Sequence, residues 1–86
     1  MRGTKGEFSV CQFMNDDVYE YVRRWVSAEE AIEAFKAYTT NVAARIGMTQ
    51  RVIITDGGDC CNAEWKYGEG YTFPPELVAL NKRGGA

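Results

Sequence analysis

The 86-residue chain reads as one α+β domain of order ββαββ, a four-stranded, mostly antiparallel sheet with one long amphipathic helix packed on one face. Three observations predict it. A capped helical period runs over 27–46, a Gly-Gly turn separates two β-prone runs over 51–67, and two more β-like runs, 8–14 and 18–26, precede the helix. The ordered core is expected over about 6–80, with 81–86 frayed.

The helix is the clearest element. Ser27-Ala28-Glu29-Glu30 has capping-box spacing, in which the Ser27 hydroxyl accepts from the Glu30 amide and the Glu30 carboxylate reaches back to Ser27. Two carboxylates in the first turn also suit the positive end of the helix dipole. Ala28, Ala31, Ile32, Phe35, Val42, Ala43 and Ile46 recur at the helical period, with Thr39 inside the stripe. Arg45 in the last turn and Gly47 after it mark the C-terminus, with Gly47 placed for a left-handed cap.

After the helix, Arg51-Val52-Ile53-Ile54-Thr55 and the run from Cys60 to Tyr67 flank Asp56-Gly57-Gly58-Asp59. A two-residue primed turn at the glycines predicts a hairpin in which Thr55 opposes Cys60, Ile53 opposes Asn62, and Arg51 meets Glu64. Val52, Ile54, Cys61, Ala63 and Trp65 then share the face turned to the helix.

Ahead of the helix, Asn15-Asp16-Asp17 forms the turn between the two strands. In the second of them Val18, Val22 and Val26 alternate with Tyr19, Tyr21, Arg23 and Trp25, so both faces carry large side chains. Past the last strand, Gly68-Glu69-Gly70 is a turn leading to Tyr71 and Phe73, and Pro75 suits the first position of a short terminal helical turn.

Composition narrows the function classes. A domain this small buries a modest core and gains from a disulfide, a metal or self-association. Cys11, Cys60 and Cys61 are odd in number and lack CxxC spacing, which argues against a disulfide framework. With no histidine the mixed Cys/His zinc sets cannot form, so no metal and no cofactor is expected. Self-association remains. A net charge of −2 lacks the basic field of a polyanion binder, and no run approaches a membrane span. The start, MRGTKGEF, reads as neither signal peptide nor anchor, and the expected location is cytoplasmic.

No catalytic constellation is visible, since a nucleophilic cysteine needs a histidine or a nearby cation and none stands between Arg51 and Lys66. Asp56 and Asp59 offer too few oxygens for calcium and suit a soluble turn. Four acids would gather if the two hairpin ends met, Asp16 and Asp17 being at the other. The stripe Tyr19, Tyr21, Arg23 and Trp25 has three readings: an interface, a platform for nucleobases, or the core face under the helix. Ala37, Thr40, Asn41 and Ala44 on the outer side of the helix form a small-residue patch where a second backbone could approach. The leading expectation is a non-enzymatic interaction module, a homodimer or the partner of another protein, joined through the aromatic strand or the helix patch. An alternative is a small-ligand domain with a pocket between helix and sheet or at a dimer seam, near Asp56, Asp59, Trp65, Tyr67 and Tyr71. A single-stranded nucleic-acid binder using the aromatic face is a further alternative, which the charge balance disfavours.

Overall fold

The structure, a computed structural model, describes residues 6–16, 18–56 and 61–85, with side chains described through Asn81. In chain order the elements are β1 (Phe8–Met14), β2 (Tyr19–Val26), α1 (Ala28–Thr40), α2 (Val42–Arg45), β3 (Thr49–Thr55), β4 (Cys61–Lys66), β5 (Gly70–Phe73) and α3 (Pro75–Gly85). The sheet has five strands in the order β2-β1-β3-β4-β5, every neighbouring pair antiparallel. The α+β class is therefore as the sequence predicts, with a fifth strand and a longer terminal helix beyond the expected ββαββ.

The core lies between α1 and one face of the sheet. Val10, Val52, Ile54, Ala63 and Trp65 meet Ala31, Ala34 and Phe35, and Val22, Val26, Tyr71 and Leu77 pack around them. Four of the five residues predicted for the helix face of the second hairpin thus lie there. Cys61 is the exception. The pairing shifts between Ile54 and Thr55, so Thr55 opposes Cys61, and Asn62 lines the helix side. Elsewhere the hairpin register differs from a two-residue turn by two places: Arg51 opposes Lys66, and Ile53 opposes Glu64. The described parts of the two strands end at Thr55 and begin at Cys61, and the predicted turn falls on 57–60, with Gly57, Gly58 and Asp59, which lie outside the described residues. A slip of two preserves the faces because side chains alternate with period two.

The helix begins as expected, with the Glu30 amide donating to Ser27 Oγ at 3.2 Å. It does not run unbroken to Ile46. Thr39 and Thr40 both donate their hydroxyls to the Lys36 carbonyl, and Asn41 turns extended (ψ 178°) and accepts from the Ala44 amide at 2.9 Å. Thr, Thr and Asn are residues whose side chains compete with helical backbone bonds, so the break falls where they cluster. The helix axis changes there. Val42 and Ile46, predicted for the buried stripe, are 68 % and 62 % exposed, while Ala44, predicted for the outer patch, is buried in the core. Gly47 has φ 88°, and the Met48 amide donates to the Ala43 carbonyl at 2.9 Å, the six-to-one bond of a glycine-terminated helix end.

The two hairpin ends do not meet. Ser9 opposes Thr55 whereas Met14 opposes Thr49, which puts the Asn15-Asp16 turn and Asp56 at opposite ends of the sheet. The predicted frayed tail is instead helical through Gly85. From α3 the Asn81 side chain accepts from the Tyr71 amide at 3.0 Å and donates to the Tyr71 carbonyl at 2.7 Å, occupying the outer edge of β5. Gly70, at φ 79°, is where that side chain crosses, and a Cβ there would collide with it. No helix among the described residues is long and apolar enough to cross a membrane.

Candidate functional site

Among the described residues one face of the sheet carries helices, and the other face holds an organised set of exposed side chains. Its composition follows from β2, which contains two extra residues relative to β1. Cys11 opposes Tyr21, Val10 opposes Arg23 and Phe8 opposes Val26. One residue is added between the first two pairs and another before the third, and each addition resets the alternation. Val22 and Arg23 consequently both face the helix side, where Val22 joins the core and the Arg23 guanidinium lies 3.9 Å from Glu30. Arg24 takes the place on the open face expected of Arg23. At the second irregularity Trp25 has φ 56°, and its amide donates to Ser9 Oγ at 3.3 Å. A left-handed conformation costs a residue with a Cβ about 1–2 kcal/mol.

On this face the side chains form a continuous run from one sheet edge to the other. The Arg24 guanidinium stands 4.6 Å from the Tyr21 ring centre and 5.9 Å from that of Trp25. Tyr21 meets Tyr19 edge-on at 6.4 Å, Tyr19 meets Phe13 at 5.8 Å, and Arg51 sits 5.1 Å over Phe13. Arg51 Nε donates to Glu64 Oε2 at 2.5 Å, and Thr72 Oγ1 donates to Glu64 Oε1 at 2.5 Å. Each cation–ring distance is within the ~6 Å at which such attraction is effective. Cys11 and Ile53 lie beneath this run and are buried. Tyr19, Tyr21 and Trp25 remain 60 %, 43 % and 46 % exposed.

The electrostatics of the face are internally settled. Burial alone would push the Glu64 carboxyl up, but the hydrogen bonds from Thr72 and Arg51 and the charges of Arg51 and Lys66 outweigh it and hold the group below its usual value. Glu64 is therefore ionised and matched at neutral pH. Burial pushes the thiols of Cys11 and Cys61 up, so both are neutral there. Among the described residues no group of three His, Cys, Asp or Glu side chains could hold a metal ion.

Of the other predicted site residues, Thr40, Trp65 and Tyr71 lie together, and the rest that are described are dispersed. Of the helix patch, Ala37 and Thr40 are exposed, Asn41 is the cap of α2, and Ala44 is core. Of the pocket set, Trp65 is buried against Val52, and Tyr71 stacks on Phe35 at 5.7 Å with its hydroxyl 3.0 Å from Thr39 Oγ1. Tyr67 is exposed beside Gly47, Asp56 lies at the far end of β3, and Asp59 falls outside the described residues. Trp65 and Tyr71 border a shallow hollow shared with Thr40 and Asn81.

Phe13, Arg24, Glu64 and Thr72 are members of the open face that sequence reasoning passed over. The Phe13 position was readable, since it alternates with Val10 and Gln12. Arg24 was not, because no residue in 19–26 announces a bulge. Comparison with protein families, with curated proteins and with solved structures finds no match to this chain.

Proposed function

We propose that this chain is a non-enzymatic self-association module whose open sheet face docks against the same face of a second copy. The observation that carries this reading is the unbroken run of rings, guanidinium groups and one matched carboxylate across all five strands, with three exposed aromatic side chains at its β2 end. Tyr, Trp and Arg are the residues that contribute most at interfaces, where they bring large area with little rotamer entropy.

Three further arguments favour a second copy as the occupant. Strands about 20 Å long at about 4.8 Å spacing give five of them a projected face of about 480 Å², and two such faces bury about 960 Å², close to the ~1,000 Å² of a specific interface. Covering Glu64 leaves no orphan charge, because Arg51 and Thr72 already satisfy it. Edge-to-edge pairing is blocked at both sides, by Asn81 and α3 along β5 and by two bulges along β2. A face-to-face dimer uses neither edge. With Arg51 neutralised by Glu64 and a chain charge of −2, the same face lacks the field a polynucleotide requires.

Sedimentation velocity over a concentration series tests the proposal. The wild-type chain is expected to pass from monomer to dimer by high micromolar concentration. Tyr21→Glu is expected to remain monomeric with an unchanged circular dichroism spectrum, and Val42→Glu, on exposed α2, to dimerise normally. A wild-type chain that stays monomeric throughout overturns the reading, as does salt-sensitive oligonucleotide binding by the monomer.

A further inference from the structure

A second feature lies on the helix-covered side and owes nothing to the open face. Where α1 passes the Thr55 end of β3 and the start of α3, the packing leaves a groove of ≈ 460 Å³. Phe8, Ile32 and Leu77 line it on the exposed side, and Ala31, Phe35 and Ala63, all buried, lie at its base. Alanines at the base leave the volume that larger aliphatic side chains would fill. Ile32, at the mouth, is 46 % exposed, an unusual state for a residue on the apolar stripe of its helix.

Two lining residues carry polar groups, Lys36 on α1 and Asn62 on β4, and no carboxylate is among the lining residues. Among the described residues the charged group lining the groove is therefore the Lys36 ammonium, at the end of a flexible aliphatic stem. Its volume is within the ~300–1,000 Å³ of small-molecule sites, which are mostly apolar with a few orienting polar groups. We infer that this groove binds a small amphipathic monocarboxylate, with its aliphatic body between Phe35 and Leu77 and its carboxylate paired with Lys36. The apolar walls select the body by area, and the ammonium group fixes the direction in which the ligand enters.

Titration of the full chain with sodium octanoate, sodium decanoate and 1-octanol, followed through amide NMR signals, tests this. Octanoate should give saturable shifts at Ile32, Phe35, Ala63 and Leu77. Decanoate should bind about tenfold more tightly, because each buried methylene contributes about three- to fourfold. Octanol should bind about fivefold more weakly than octanoate for want of the charge-assisted bond. Lys36→Gln should remove the difference between acid and alcohol. Ala63→Leu should abolish binding by filling the base, and Ile32→Ser, at an exposed position that the fold does not depend on, should weaken both ligands. Absence of saturable shifts up to about 5 mM, a range that detects affinities of only about 4 kcal/mol, overturns the inference. So do equal affinities of octanoate and octanol for the wild-type chain, or shifts confined to the open sheet face.

Discussion

The two faces of the sheet bury side chains by different means. On the covered face Val10, Val52, Ile54 and Ala63 disappear beneath α1 because Phe35 and two alanines of the helix press onto them. On the open face Cys11, Ile53 and Glu64 are also buried, yet among the described residues no helix or strand lies over them; the rings of Phe13 and Tyr21 and the stem of Arg51 are their neighbours on that face. The first face is finished by its own chain. The second is half-finished, with its inner layer built and its outer aromatic layer exposed to solvent. On the proposed reading that difference separates residues that hold the fold from residues that would meet a second copy, and it can be probed from either side.

The largest expected effect is on the covered face. Phe35→Ala removes a ring that is 1 % exposed and should cost about 3–5 kcal/mol in a chemical denaturation experiment, enough to unfold much of the population. Tyr19→Ala on the open face should cost the monomer under about 1 kcal/mol while weakening self-association. Similar losses at the two positions would erase the distinction.

An intermediate effect is expected at the matched charge. Glu64→Gln should cost about 1–2 kcal/mol, at the low end for a charged hydrogen bond because Arg51 is partly exposed and solvent screens the pair. Its pH dependence has a definite sign. The folded-state pKa is depressed, so the stabilisation is fully present above the ordinary glutamate value and is lost as pH falls through the lower, folded value. Denaturation midpoints at neutral and acid pH should show that fall in the wild-type chain, and the glutamine variant should lack this share of it.

An effect of similar size is expected at the sheet edge. Asn81→Ala frees the Tyr71 amide and carbonyl and should lower stability by about 1–2 kcal/mol. It should also raise aggregation under light scattering, because an unpaired edge becomes available to another chain. Loss of stability without any change in aggregation would show that Asn81 ties the helix down and does not guard the edge.

How much of this was legible in the sequence follows the same division. The covered side was readable where local chemistry is decisive: Ser27 as cap, Gly47 as terminator, and Val52, Ile54, Ala63 and Trp65 as one face. The surplus of large side chains in 19–26 marked β2 as a strand with two occupied faces, but strict alternation could not assign Arg23 and Arg24 to their sides. Bulges depend on how two strands pair, and that information is spread over both of them. The helix break at Asn41 was hidden because the apolar period continues through it to Val42 and Ile46. Thr39, Thr40 and Asn41 carry the signal, and it is one of side-chain competition for backbone bonds, not of hydrophobic period. The fifth strand was missed because β5 is short and owes its outer hydrogen bonds to Asn81, ten residues beyond Tyr71.

The most direct test of the central claim is an amide NMR spectrum of the wild-type chain recorded over a concentration series. The account predicts concentration-dependent shifts at Cys11, Phe13, Tyr19, Tyr21, Trp25 and Ile53, with α1 unaffected. Spectra that do not change with concentration, or changes centred on α1 and α2, would contradict it.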